Sequence, residues 1–164
     1  METIENLPNS IELIGYEAFS EANVLELKAL PSNLIYISSR AFYNAQNITI
    51  DSLPRGLTVL TSDVFKNCSN IKLYSFGNNG SLVEGHDNNI IVIEGAALSN
   101  AANLPDNNTL YLKSSIVSIL GDAFVNYNSK KSAITVYNST ILNLEENKNV
   151  IFGTPDNGGN RFTI

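Results

Sequence analysis

Apolar residues return along this chain every 23 positions. Leu7-Pro8, Leu30-Pro31 and Leu53-Pro54 keep that spacing, and so do Phe19, Phe42 and Phe65. Ile11, Leu34 and Leu57 keep it, as do Ile14, Ile37 and Leu60; Leu27, Ile50 and Leu73; and Ala22, Ala45 and Cys68. Six classes of position holding one period through three units mean that one supersecondary unit is written three times over. A unit this short cannot bury its own apolar face. Stacked copies can, because each covers its neighbour.

The register continues less evenly. Phe76 keeps phase with Leu53, and residues 77–89, rich in Gly and Asn, then read as an inserted loop. A fourth unit resumes at Ile90, Ile93, Ala97-Leu98 and Ala101. Pro105 lies out of phase in a second insertion, and Leu110 and Leu112 close the unit. The fifth runs through Ile116, Ile119, Ala123-Phe124, Ile134 and Val136, with a half-unit at Ile141 and Leu144.

Each unit contains two extended pieces and one compact piece. Leu25-Glu-Leu27, Ile48-Thr-Ile50, Ile71-Lys-Leu73, Leu110-Tyr-Leu112 and Ile134-Thr-Val136 alternate apolar and polar, as half-buried strands do. The stretch from Ile11 to Ile14 is a second, shorter extended piece. Between them Glu17-Ala-Phe-Ser-Glu-Ala22 sets Ala18 and Ala22 at helical spacing, which predicts a single helical turn. Prolines cannot donate to a ladder and belong at the corners. Phe19, Phe42, Phe65, Leu98 and Phe124 should form an inner ladder, and strands about 4.8 Å apart make five rungs roughly 20 Å wide.

At this point the residues resemble a known family. Leu7 to Phe19 nearly spells Leu-Pro-x-x-Leu-x-x-Ile-Gly-x-x-Ala-Phe, and Asn67-Cys68-Ser69-Asn70-Ile71 is similar to an Asn-Cys-x-x-Leu step; both are marks of the BspA-like leucine-rich repeat. The resemblance is close over 4–76 and looser to about 137. Val150-Ile-Phe-Gly-Thr-Pro155 is similar to a segment that follows such arrays in bacterial surface proteins. The resemblance implies an α/β repeat: a short right-handed solenoid of about five rungs, with parallel strands on one face and turns and short helical segments on the other. It also implies a ligand-binding or adhesion module, surface-exposed or secreted, that recognises protein or glycan, including host matrix and other cell surfaces. No catalytic set comes with it. Gly15 has no counterpart at Ser38 or Thr61.

The expected organisation is a single domain over 1–164 cut from a longer chain. Regular repeats cover 4–76, the insertion 77–89, irregular repeats 90–137, and a C-terminal flank 138–164. Ile4 holds the phase of Leu27, so the chain opens within a strand with no capping unit before it, and Arg161-Phe-Thr-Ile164 stops as abruptly. Open sheet ends of that kind invite end-to-end self-contact.

Composition narrows the partners. Charged residues make up 16%, and 24 asparagines supply a polar, weakly charged surface. A net charge of -6 with Lys130-Lys131 as the one adjacent basic pair argues against nucleic acid. No stretch is long enough for membrane insertion, and no signal peptide is visible in this chain. One cysteine excludes an internal disulfide framework.

If Leu25 and Leu27 face inward, the residues between and after them face out. Continued over every unit, this predicts one outward column of Glu26, Thr49, Lys72, Tyr111 and Thr135, and another of Lys28, Asp51, Tyr74, Lys113 and Tyr137. Tyr74, Tyr111 and Tyr137 with Lys72 and Lys113 form the candidate contact patch, because tyrosine buries much area at little entropic cost. Tyrosines also suit exposed strands for packing reasons alone. The other candidates read as structure. His86, beside Glu84 and Asp87, is a solvated loop residue, since a metal site needs more ligands in a held geometry. Cys68 shares a class with alanines and is a buried structural thiol. Glu145-Glu146 face different ways, and Gly158-Gly159 lacks the helix and lysine of a phosphate loop. The sequons at Asn47, Asn67, Asn79, Asn107 and Asn138 follow from asparagine abundance. No catalytic residue, cofactor or metal is therefore expected. The competing function is a structural spacer or assembly domain, in a surface stalk or phage tail, without a ligand of its own.

Overall fold

A computed structural model describes residues 4–23, 25–80, 87–101, 110–120, 122–127 and, as backbone, 134–136. Successive units lie on one another in three parallel columns: two of strands and one of turns.

The first strand column contains the short extended pieces. β1 (Leu13–Ile14) pairs in parallel with β2 (Tyr36–Ile37), with Leu13 opposite Tyr36. β3 (Val59–Leu60), β5 (Val92–Ile93) and β7 (Ser118–Ile119) continue it, also in parallel. The ladder lapses between β2 and β3. There the Thr61 hydroxyl donates to the Ile37 carbonyl at 2.8 Å, so a side chain supplies one of the missing links. Gly56 lies so close to the preceding unit that a Cβ would stand 2.8 Å from Ile35 Cγ2.

The second strand column contains the alternating pieces. It begins with the bridges Ile4–Leu25 and Ile50–Ile71 and becomes a sheet of β4 (Ser75–Phe76), β6 (Leu110–Leu112) and β8 (Ile134–Val136). The prolines do sit at corners. Ile11, Leu34 and Leu57 donate to the carbonyls of Pro8, Pro31 and Pro54, closing one tight turn per unit at 3.1–3.2 Å.

Where a helical turn is expected, the chain makes something else, and no helix occurs among the described residues. Residues 16–21, 39–44, 62–67, 95–100 and 122–127 are runs of turns. Within the first run Ala18 donates to Gly15, Ser20 to Glu17 and Ala22 to Phe19. Two residues per run adopt positive φ in the first four units, at Glu17 and Glu21, Arg40 and Asn44, Asp63 and Asn67, and Ala96 and Asn100; Asn126 repeats the second position in the fifth. A helix would leave these amides bonded only within their own unit. The left-handed residues turn alternate amides outward, and the runs bond to one another instead. Phe19 donates to Ala41, Phe42 to Val64, Phe65 to Ala97 and Leu98 to Ala123, at 2.8–3.1 Å. Asparagine tolerates that conformation better than most side chains. It occupies the second position at 44, 67, 100 and 126, which accounts for part of its abundance. Asn100 Nδ2 donates to Asn67 Oδ1 at 3.2 Å and Asn126 Nδ2 to Asn100 Oδ1 at 2.6 Å, an amide ladder on top of the backbone one.

The core is the expected inner ladder. Phe19 and Phe42 stack with centroids 5.4 Å apart, Phe42 and Phe65 at 5.6 Å, and Leu98 and Phe124 are fully buried in the same class. Phe76 meets Phe124 edge-on at 5.3 Å and Tyr127 at 6.3 Å. Cys68 is fully buried; its thiol donates to the Phe42 carbonyl at 2.9 Å, and burial pushes its pKa up to about 12.

Candidate functional site

The insertion disturbs the second column, and the candidate patch lies beside that disturbance. Asparagines pin its neck. Asn88 is buried; its Oδ1 accepts from Gly77 N at 2.7 Å and Ile90 N at 3.3 Å, and its Nδ2 donates to the Ser75 carbonyl at 3.0 Å. Asn78 Nδ2 donates to the Asn88 carbonyl and to Asn89 Oδ1. These bonds draw 75–77 into the sheet and bury Phe76.

The register shifts as a result. Tyr111 stands opposite Ser75 and Leu112 opposite Phe76, so the predicted columns do not run straight. Lys72 is not level with Tyr111, and Tyr74 is not level with Lys113. Beyond the insertion the expected order resumes, with Tyr111 opposite Thr135. Tyr74 and Tyr111 do come together. Both are half-buried, and the Tyr74 phenol is pushed up first by desolvation and then by the charge of Tyr111.

Lys113 is not a free cation. Its ammonium pairs with the Asp87 carboxylate, with side chains only 17% and 10% exposed, and desolvation lowers its pKa. Lys72 is exposed. Tyr137 lies outside the described residues, as do His86, Glu84, Glu145-Glu146, Gly158-Gly159 and the sequons at Asn107 and Asn138.

Beside Tyr74 is a shallow hollow lined by Asp51, Ser52, Leu53, Leu73, Tyr74, Ser75, Asp87 and Asn88. Most of the roughly 260 Å³ in and before it is open solvent, so far less is enclosed than in typical small-molecule sites of ~300–1,000 Å³. The hollow is a dimple in a contact surface, edged by a phenol ring and two carboxylates, and not a pocket for a whole ligand. Among the described residues no three His, Cys, Asp or Glu side chains gather as metal ligands do.

Sequence reasoning missed two things. The first is Asp87, which reads from sequence only as a neighbour of His86. The second is the first strand column, where most of the exposed large apolar side chains among the described residues lie. Leu13 is 62% exposed, Ile35 56%, Val117 58% and Tyr36 44%. The signal was present in Ile35-Tyr36-Ile37 and Ile91-Val92-Ile93, unbroken apolar runs where a half-buried strand would alternate.

Comparison with known proteins agrees with this architecture. The family model described as BspA type leucine rich repeat region matches residues 2–86 in six copies. No curated protein and no solved structure matches the chain.

Proposed function

The chain belongs to the BspA-type leucine-rich repeat family, whose members are commonly repeat modules of surface proteins, and on that premise we propose that it is a ligand-binding, adhesive module of a surface or secreted protein. In this reading its units wind as one right-handed solenoid of about five rungs. Protein or glycan is recognised by the exposed side of the second strand column, around Tyr74, Tyr111, Lys72 and the Lys113–Asp87 pair, with Tyr137 as a further contact.

The observation that carries the reading is that Tyr74, whose carbonyl accepts from Tyr111 N at 2.8 Å, lines a hollow that Asp51 and Asp87 also line. Aromatic rings supply contact area, and the carboxylates and hydroxyls supply direction. The pinned neck holds these groups in place before any ligand arrives, so little ordering entropy is lost on binding. No helix among the described residues is long and apolar enough to cross a membrane.

The test is binding of the immobilised chain to a panel of matrix proteins and glycans at two salt concentrations, beside a Tyr74→Ala/Tyr111→Ala/Tyr137→Ala variant. Saturable binding that the variant loses while staying folded supports the reading, and strong salt sensitivity shifts weight to the lysines. Binding that survives the substitutions overturns the site. A folded chain that binds nothing in the panel favours the structural spacer.

A further inference from the structure

We propose that the exposed side of the first strand column is a self-association surface on which a second copy of this chain docks about a two-fold axis through the third unit. The surface is separate from the tyrosine patch. Leu13 occupies it in the first unit, Ile35 and Tyr36 in the second, Ile91 in the fourth, and Val117 and Leu120 in the fifth. These are six of the eight exposed large apolar residues among the described ones, Ile4 and Tyr16 being the others. Such residues scattered singly would need no explanation; gathered on one column they form a patch, and patches of this extent mark contact sites.

Three observations favour a second copy as the occupant. The first is size. At their observed exposures these residues leave on the order of 600 Å² open to water, against ~800 Å² per partner in a standard interface and less in transient ones. The second is symmetry. An isologous interface needs a patch that complements itself. The large residues lie on either side of Thr58 and Val59, so an antiparallel pairing sets the first unit against the fifth and the second against the fourth. The third is charge. Of the paired strand residues in this column and those just before and after them, Glu12 and Glu94 are the only charged ones, and the Glu94 carboxylate is already bonded to Ser62. Interface cores are poor in charge and rich in tyrosine. A lipid surface fits worse, because anionic headgroups would meet a chain of net charge -6 with no basic cluster on this face.

Sedimentation velocity of the full chain from micromolar to near-millimolar concentration should show a monomer–dimer equilibrium. Ile35→Lys should weaken the dimer about tenfold or more by burying an unpaired charge within the contact, one unit from the axis. Its circular dichroism should match the parent, because the residue is 56% exposed in the single chain. Thr58→Cys, next to the axis, should form a disulfide-linked dimer on oxidation; Cys68 is fully buried and stays silent. In mixed samples Leu13→Cys should cross-link to Val117→Cys rather than to itself. The proposal is overturned by a monomer at every concentration. A dimer indifferent to Ile35→Lys but lost with Tyr111→Ala, or Leu13→Cys preferring its own kind, would overturn it equally.

Discussion

The first three units and the units after the insertion reach the same depth of burial by different chemistry. In the first three, identical rings meet at nearly equal spacing: Phe19, Phe42 and Phe65 stack 5.4 and 5.6 Å apart and within 17° of parallel. The later units lose that identity. Leu98 replaces the ring, Phe76 is drafted in edge-on, and the buried Tyr127 reaches across to donate to the Leu73 carbonyl at 2.5 Å. Around it Asn88 and Asn78 satisfy backbone groups that the disturbed ladder has left without strand partners. A repeat can therefore depart from its period when polar side chains take over the backbone's hydrogen bonds. The exchange makes the later units dependent on the geometry of polar side chains in a way the earlier ones are not.

The comparison can be broken most forcefully at its apolar end. Phe42→Ala should cost about 3–5 kcal/mol, the usual range for emptying a packed aromatic site, read as a fall in the denaturant midpoint. Next is Asn88→Ala, which leaves two amides and a carbonyl buried without their partner; a loss of roughly 3 kcal/mol is expected. Hydrogen exchange should then show 75–77 and 88–90 opening before 42–45, and uniform loss of protection would erase the distinction between the regions. Tyr127→Phe should cost about 1–2 kcal/mol at neutral pH.

That last substitution also carries a pH signature. Burial pushes the Tyr127 phenol well above its ordinary value. Below about pH 10 both folded and unfolded chains keep the proton, and the contribution is complete. Above it the unfolded chain releases a proton that the folded chain retains, so stability falls by about 1.4 kcal/mol per pH unit. Phe at 127 removes that share of the alkaline slope. Cys68→Ala, within the regular units, should be mildest at neutral pH, below about 1 kcal/mol, because alanine fills the same class at 22, 45 and 101. It should remove its own slope between pH 9 and about 12. A thiol reagent that labels the native parent quickly would contradict that burial.

The stacking, the inner ladder, the corner prolines and the buried thiol are all legible in the 23-residue period. All of these depend on side-chain volume and spacing, which the sequence states directly. Backbone handedness was not legible. Ala18 and Ala22 keep helical spacing, yet the compact piece turns through Glu17 and Glu21 at positive φ, because bonding to the next unit outweighs bonding within the first. Nor could alternation locate the patch across an insertion. Tyr74 and Tyr111 were found together, but their neighbours changed when Phe76 entered the core and moved the register, and Lys113 found Asp87 through a fold of the neck that no spacing rule describes.

The turn column has one further property. Each backbone hydrogen bond between its runs points the same way, from an amide of one unit to a carbonyl of the next. In a helix such alignment sums to a macrodipole. Here the carbonyl, negative pole lies toward the first unit and the amide, positive pole toward the fifth. In the two strand columns the amide bonds Ser38 to Ile14, Lys72 to Ile50 and Glu94 to Leu60 point the other way, from a later unit to the one before. The field of the turn column is thus opposed by its neighbours, and the stack carries a smaller dipole than this column alone, as sheets do.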